Sequence, residues 1–446
     1  MVRQNATLSF YSENYLKIIK TKIVLRAKKF KGERIDMKVL VFGSGKQGSV
    51  IAYDLVNNDK VEKVGIVDNQ EEILNKTKEI IYSNKVKTYI LNLNDKEETK
   101  KLMHEYDIGV VALPVRRLSY KVLETAIEAR FNLVDILEEY HRRPDAYEIE
   151  GLEIPNGMTL DEYGELLHQK AIKNGVTFID GMGFAPGLTN ITLGEGIKKM
   201  DQTDSAIARC GGIPAKEFVN KHPLKYMITW AFEHVLREYM VKVNVLKNGK
   251  ITEVNAISDL EKFKFDQLGK DEELACAITP GMPSFLYTRP ELKECAEKTI
   301  RWPGHWEGAK VLKECGMLDS APIEFKGMKI SPREFLSFIL TPKLKPLDGE
   351  TDISVMWNSA IGIKNGEKIR IDYYMWEGAD VKRGFSSMNR VTSFPAAITT
   401  VFLGEGKIKE KGIVAPEDAI KGEVYQELLD ELKKRNINIL EISKKM

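Results

Sequence analysis

Met37-Lys38-Val39-Leu40-Val41-Phe42-Gly43-Ser44-Gly45-Lys46-Gln47-Gly48 decides the fold. The apolar run Val39 to Phe42 stops at G-x-G-x-x-G, and a helix-like segment, Ser49 to Asn57, follows with Val50, Ile51, Leu55 and Val56 apolar. Strand, glycine pattern and helix in that order open a dinucleotide-binding βαβ unit. Gly43 permits the tight turn, Gly45 lets the backbone approach a pyrophosphate, and Gly48 lets the helix pack on the strand. Ser44, Lys46 and Gln47 complete the cradle. Free N–H groups at the helix start then face the phosphates, aided by the helix dipole.

A glycine-rich turn by itself is weak evidence, so the next strand matters. Val64-Gly65-Ile66-Val67 ends in Asp68, twenty positions after Gly48. An acid there accepts hydrogen bonds from the adenosine ribose. Asn69, Gln70, Glu71 and Glu72 follow, with no Arg to hold a 2′-phosphate, so the sequence favours NAD over NADP.

The pattern then alternates. Strands are expected at Lys38–Phe42, Lys63–Val67, Thr88–Asn92, Ile108–Leu113, Asn132–Ile136 and Val176–Ile179, with helices at Glu71–Tyr82, Lys96–Tyr106, Ser119–Arg130 and Leu160–Asn174. Apolar strands alternating with helices imply an α/β fold with a doubly wound parallel (Rossmann) sheet covered on both faces. Leu113 and Pro114 end the fourth strand beside the pyrophosphate crevice and are expected to wall the cofactor.

After Gly187 the composition changes. Val241–Leu246 and Ile251–Ile257 join through Asn248-Gly249, and Ile353–Ile363 and Lys368–Met375 join through Asn365-Gly366; both read as β-hairpins. Further strands are expected at Ser205–Cys210 and Lys298–Trp302, and helices at Leu224–Leu236, Trp306–Cys315 and Pro332–Leu340. These segments predict a second α+β domain on a mostly antiparallel sheet. The expected organisation is a Rossmann domain over 37–204, a substrate and dimerisation domain over 205–380, and C-terminal helices over 381–446 (Phe394–Leu403 and Glu417–Arg435) returning to the Rossmann domain.

Residues 1–36 stand apart, with nine Lys and Arg against three acids. They read as a basic extension ahead of Met37, which falls where the first strand must begin; a transit peptide is the alternative. The 446-residue chain is natural for two domains, and its net charge of +2 gives no reason to expect nucleic acid. No apolar run has the length of a membrane span. The four cysteines (Cys210, Cys276, Cys295, Cys315) are far apart, and none of the six histidines forms an H-x-x-x-H pattern. No metal is expected, and the cysteine usage fits a reducing, cytoplasmic setting. A homodimer through the hairpin sheet is the default expectation.

Four clusters could carry chemistry. Asp180 to Asn190 is a glycine-rich turn off a strand end, with Phe184, Ala185 and Pro186 facing a ligand at the sheet's carboxyl edge. Lys298 to His305 presents Arg301, suited to a carboxylate, and His305, suited to proton exchange. Taken alone, Arg301 reads as a surface ion-pair partner and His305 as a turn residue. Arg209-Cys210-Gly211-Gly212 with Lys225, and Ser387 to Thr392 with Arg390, place basic residues where the domains should meet; Cys210 reads as an inert small apolar residue. Asp135, closing the fifth strand, reads equally as an amine-holding acid or a cap.

Gly43 to Gly48, Gly183-Phe184-Ala185-Pro186-Gly187, Arg209-Cys210-Gly211-Gly212, Arg301-Trp302-Pro303-Gly304-His305 and Arg390-Val391-Thr392 resemble the saccharopine dehydrogenase-like family over about Met37 to the C-terminus. Ala185, where saccharopine reductases tend to carry Asp, and the R-W-P-G-H form are similar to the lysine 6-dehydrogenase branch; Trp302 in place of Tyr departs from it. The resemblance implies NAD(P)-linked oxidation of a C–N bond in an amino acid, or its reverse. For that reaction the expected carboxylate contact is Arg301, with Arg209 as second choice, and the expected acid-base group is His305, with Asp135 as its rival; Lys225 and Arg390 are further expected contacts to an amino acid or amine substrate. Two rivals are a reductase that joins an amine to an aldehyde, giving saccharopine or a carboxylated polyamine, and a non-catalytic NAD sensor.

Overall fold

The computed structural model describes residues 36–144 and 152–446, so the basic leader, apart from Asp36, lies outside the described residues. β1 (Met37–Phe42) is buried except at half-buried Lys38, as a strand covered on both faces must be. With β2 (Val61–Asp68), β3 (Val86–Ile90), β4 (Ile108–Val111), β5 (Asn132–Asp135) and β6 (Thr177–Ile179) it forms a parallel sheet in the order β3-β2-β1-β4-β5-β6. Helices α1 (Lys46–Val56), α2 (Glu71–Ile81), α3 (Lys96–Met103), α4 (Arg116–Ala129) and α5 (Leu160–Asn174) connect the strands. The chain reverses direction across the sheet between β1 and β4, and there the carboxyl ends open a crevice.

After α6 (Leu188–Lys198) comes a mixed sheet built from β7 (Gln202–Pro214), the hairpin β8 (Lys242–Lys247) and β9 (Lys250–Asn255), β10 (Glu261–Phe265), β11 (Glu272–Ile278) and β12 (Glu294–Arg301). Past a small hairpin, β13 (Ile323–Phe325) and β14 (Met328–Ile330), the long strands β15 (Asp352–Lys364) and β16 (Glu367–Gly378) complete it. All its pairs are antiparallel except β7 with β12. At both expected hairpins the turn residues have positive φ: 51° and 72° at Asn248 and Gly249, 51° and 78° at Asn365 and Gly366. That conformation suits Asn-Gly and matches the twist of paired strands.

The expected helix Leu224–Leu236 is broken. Leu224 and Lys225 have φ of 59° and 48°, Tyr226 is extended, and α7 runs only from Phe232 to Glu238. Buried Tyr226 packs with Phe232, Trp306 and Leu336, a core that outweighs local helix preference. α8 (His305–Glu314) and α9 (Pro332–Leu344) flank that core.

The tail also departs from its helical reading. α10 (Ser387–Gly404) and α11 (Glu423–Lys434) are helices, but Gly412–Val414 (β17) adds a seventh parallel strand beside β6, and Leu440–Lys445 (β18) pairs with β16 of the other sheet. The C-terminal segment therefore ties both sheets together. α10 packs on α1, β4 and β5. Its Phe394, Ala397 and Val401 share a core with Val50, Ile51 and Leu55, and burying a large apolar side chain contributes about 1.5–3 kcal/mol. Among the described residues no helix is long and apolar enough to cross a membrane.

Candidate active site

The glycine loop has the shape of a phosphate cradle. Gly43 has φ of 98°, and a Cβ there would run into the Ala112 carbonyl of the neighbouring strand end. A Cβ on Gly48 would strike the Gly43 carbonyl, so helix and turn touch backbone to backbone. Gly45 is different: it is the N-cap of α1, makes no side-chain cap, and has no protein atom within 4 Å of a would-be Cβ. An uncapped helix start facing open space fits a dinucleotide pyrophosphate. α10 fastens this helix start: Ser393 Oγ lies 2.7 Å from Gln47 Oε1, and Asn389 Nδ2 donates to the Lys46 carbonyl at 3.2 Å.

Asp68 ends β2 beside the loop. Its Oδ2 accepts from the Ser44 amide at 2.9 Å and from Ser44 Oγ at 3.1 Å, and its Oδ1 accepts from the Gln70 amide at 3.0 Å. The carboxylate is thereby fixed at the strand end where a ribose would lie.

A cavity of about 510 Å³ runs from this loop into the second domain. Gly45, Lys46 and Gln47 line one end; Leu113, Pro114, Phe184, Ala185 and Pro186 form a wall. The far side is the mixed sheet, where Glu297, Thr299 and Arg301 of β12 alternate toward the cavity beside Cys210 and Gly212 of β7. Residues two apart on a strand share a face. Arg301 is 3% exposed, and its Nη1 donates to the Ile300 carbonyl at 3.0 Å and more loosely to the Gly212 carbonyl. It lies over the Tyr226 ring, hydrogen-bonds the Tyr239 hydroxyl, feels the Glu238 carboxylate and leaves Nε without a partner. A buried guanidinium so placed is ready for an external carboxylate.

Several expected site residues do not reach this cavity. His305 is 1% exposed and sits behind Arg301. Its Nδ1 faces the Leu224 carbonyl at 3.0 Å, which can only accept, so Nε2 accepts from the Tyr239 hydroxyl at 2.8 Å. Burial and the Arg301 charge push its pKa down to about 3. With both nitrogens occupied and the ring outside the cavity lining, His305 packs inside the second domain. Lys225 is exposed and lies against the Gly304 turn. Arg209 projects from the opposite face of β7, where it pairs with Glu261 at 3.0 Å and stacks over Trp357. The strand period that sends Cys210 inward sends Arg209 outward. Arg390 clamps the Gly378, Arg435 and Asn436 carbonyls, tying α10 to the C-terminal segment.

Asp135 lies beneath the cavity wall. It is fully buried, accepts from Ser119 Oγ and from the Leu137 amide at 2.9 Å, and burial raises its pKa to about 6. Ser119 Oγ also meets His141 Nε2 at 2.8 Å, and His141 Nδ1 meets Asp180 Oδ1 at 2.8 Å. This chain of buried hydrogen bonds holds the segment Ile136 to Glu138 that lines the cavity, and satisfied buried networks of this kind rigidify their surroundings.

Sequence reasoning missed Glu297, Glu138 and Glu238, which line the cavity, and it treated Cys210 as filler. The thiol of Cys210, held neutral by burial and by Glu297, donates to Glu297 Oε1 at 3.5 Å. A usable signal existed for Glu297, since Glu-x-Thr-x-Arg on a strand puts three polar groups on one face. Glu138 follows a strand end in an irregular loop and carries no such pattern.

Comparison with known proteins agrees with this geometry. Residues 39–179 match the saccharopine dehydrogenase NADP binding domain, and residues 183–437 match the saccharopine dehydrogenase C-terminal domain. The chain is 22% identical over 407 residues to carboxyaminopropylagmatine dehydrogenase of Synechocystis sp., covering 85% of this chain and 92% of that protein. It is also 22% identical over 457 residues to the NADP(+), L-glutamate-forming saccharopine dehydrogenase of Saccharomyces cerevisiae, covering 88% and 96%. The apo structure of saccharopine dehydrogenase (L-Glu forming) from Saccharomyces cerevisiae superposes with a TM-score of 0.71 at 21% identity, covering 92% of this chain and all of that one, and so shares its fold. With both domain families spanning nearly all of the described residues around one shared cavity, this chain belongs to the saccharopine dehydrogenase family of oxidoreductases acting on amino-acid C–N bonds.

Proposed function

We propose that this chain is a nicotinamide-dependent dehydrogenase of an amino acid, oxidising a C–N bond distant from the carboxylate, as lysine 6-dehydrogenation would require. The observation that carries the reading is Arg301, a buried guanidinium with its Nε unbonded, in the cavity that begins at the glycine loop. Its role is to hold the substrate carboxylate. The loop Gly43 to Gly48 would hold the dinucleotide phosphates, and Leu113, Pro114 and Phe184 to Pro186 the nicotinamide face. A bound nicotinamide supplies the hydride acceptor, and the protein aligns the carbon with it and excludes water. Asp68 next to Glu71 and Glu72, with no Arg among them, supports NAD although the matched domain family and several relatives are named for NADP.

The test is a panel of basic amino acids, diamines and saccharopine with NAD or NADP at alkaline pH, following absorbance of the reduced cofactor. Oxidation of a basic amino acid with preference for NAD is expected; no turnover in either direction would favour the sensor reading. The relatives in Synechocystis sp. and Saccharomyces cerevisiae, matched over more than nine-tenths of their length, support a second reading in which the C–N bond belongs to a secondary amine. Supplying an aldehyde, an amine and NADH together and recovering a secondary amine would select it.

A further inference from the structure

The side chain of Glu297 is a buried acid on the cavity wall. It is 6% exposed, forms no ion pair, receives one long bond from Cys210 Sγ on Oε1, and leaves Oε2 without a partner. The carboxyl group lies against the bare backbone of Gly281, where a Cβ would meet it. A buried polar atom left unbonded is costly, and in a native structure it calls for an explanation such as a catalytic role or a bound ion.

We propose that Glu297 is the group that receives the nitrogen of the substrate, binding it as a cation and accepting its proton during oxidation. This inference rests on the function proposed above and adds the residue that this reading lacks once His305 is removed. Three relationships support it. First, Glu297 and Arg301 share one face of β12, four residues apart. At the strand rise their Cα atoms are about 13 Å apart, so an amino acid held by its carboxylate on Arg301 would extend along the strand with a distal nitrogen toward Glu297. Second, Glu297 hydrogen-bonds Cys210, which lines the same cavity as the Phe184 to Pro186 wall. Third, the titratable groups that face it are Glu138, from the loop after β5, and Cys210, from β7; burial first and Glu138 second hold its acid well above the usual range.

The proton balance follows. Burial and Glu138 favour the neutral carboxyl before substrate binds; an incoming ammonium favours the carboxylate, so one proton leaves to solvent on binding. During oxidation the N–H bond breaks and its proton moves to the Glu297 carboxylate. The C–H bond breaks, hydrogen and electron pair leave together for the nicotinamide dinucleotide as oxidant, and C=N forms. That transfer restores the neutral carboxyl of the starting state, so the proton released on binding is the one that appears in the net change. The net change is ammonium plus oxidised dinucleotide to iminium plus reduced dinucleotide plus one proton.

The test uses the full chain with Glu297→Gln and Glu297→Asp, and L-lysine against L-norleucine, which lacks only the terminal amine. Calorimetry in the presence of NADH reads binding without turnover. Wild type should bind L-lysine more tightly than L-norleucine on the order of 100-fold, and more tightly as pH rises. E297Q should lose both the preference and the pH dependence while binding NADH normally. E297D should recover part of the preference, which separates a carboxylate requirement from a folding defect. With an active amine from the panel, E297Q should lower kcat by about 100-fold or more. No preference in wild type, or an equal preference in E297Q, overturns the assignment. A preference lost in E297Q in an enzyme that oxidises no amine leaves the nitrogen site standing and refutes the proposed reaction.

Discussion

His305 Nε2 and the Tyr239 hydroxyl lie 2.8 Å apart inside the second domain, with the hydroxyl donating and the imidazole neutral. The other nitrogen donates to Leu224, so the ring pins the broken segment before α7 to the turn that starts α8. This relationship places the expected acid-base group in the packing of the second domain, away from the cavity lining. Its folded pKa of about 3 lies below the unfolded value of 6.5, so the neutral ring favours the fold. That contribution is complete above pH 6.5 and is lost as pH falls toward 3, by up to about 1.4 kcal/mol per pH unit. Urea unfolding from pH 8 to pH 4 should show this acid loss in wild type and a shallower one in His305→Asn. The variant should also be less stable at pH 7, while the pH profile of turnover keeps its shape.

Arg301 is expected to govern substrate affinity without touching the cofactor. Removing the guanidinium in Arg301→Ala should raise KM for a carboxylate-bearing substrate by about 100-fold. Arg301→Lys should recover only part of it, because a point charge cannot form two parallel bonds. NADH affinity, read by fluorescence titration, should change by less than about threefold, since Arg301 is remote from the loop at the cavity's other end.

Gly45 and Gly48 separate cofactor binding from folding. A Cβ on Gly45 meets no protein atom within 4 Å, so Gly45→Ala should keep the melting temperature and still lose at least about tenfold in NADH affinity through a clash with the phosphates. Gly48→Ala should lower both, because its Cβ meets the Gly43 carbonyl. Equal melting temperature and equal NADH affinity in Gly45→Ala would remove the phosphates from this loop.

Asp68 sets the expected cofactor preference. A double change, Asp68→Ser with Asn69→Arg, removes the negative charge and adds a cation for a 2′-phosphate. The ratio of kcat/KM for NAD over NADP should fall by about tenfold or more. An unchanged ratio would take Asp68 out of the ribose site.

The first half of the fold was legible because its signals are local. An apolar run, a glycine turn that reaches backbone angles other residues avoid, and an acid at the next strand end all lie within thirty-two residues, Met37 to Asp68, and need no distant partner. The two Asn-Gly hairpins were legible for the same reason. What the chain could not announce depends on contacts between segments far apart. β17 is three residues long and exists because Thr177 to Ile179 offers it an edge; the helix expected after Pro223 yields to the core around Tyr226.

The site divides along the same line. Arg301 and the loop residues could be nominated from residue type, but Arg209, Lys225, Arg390 and His305 have equally suitable types and lie elsewhere. Direction decided among them: strand period sends Arg209 to the opposite face from Cys210, and backbone carbonyls claim Arg390. By itself the sequence determined the dinucleotide half, since strand, glycine turn, helix and the acid of the next strand are set by residues near one another in the chain. Only the tertiary structure decided which charged side chains share a cavity, because burial without a partner is a property of what surrounds a residue and not of its type.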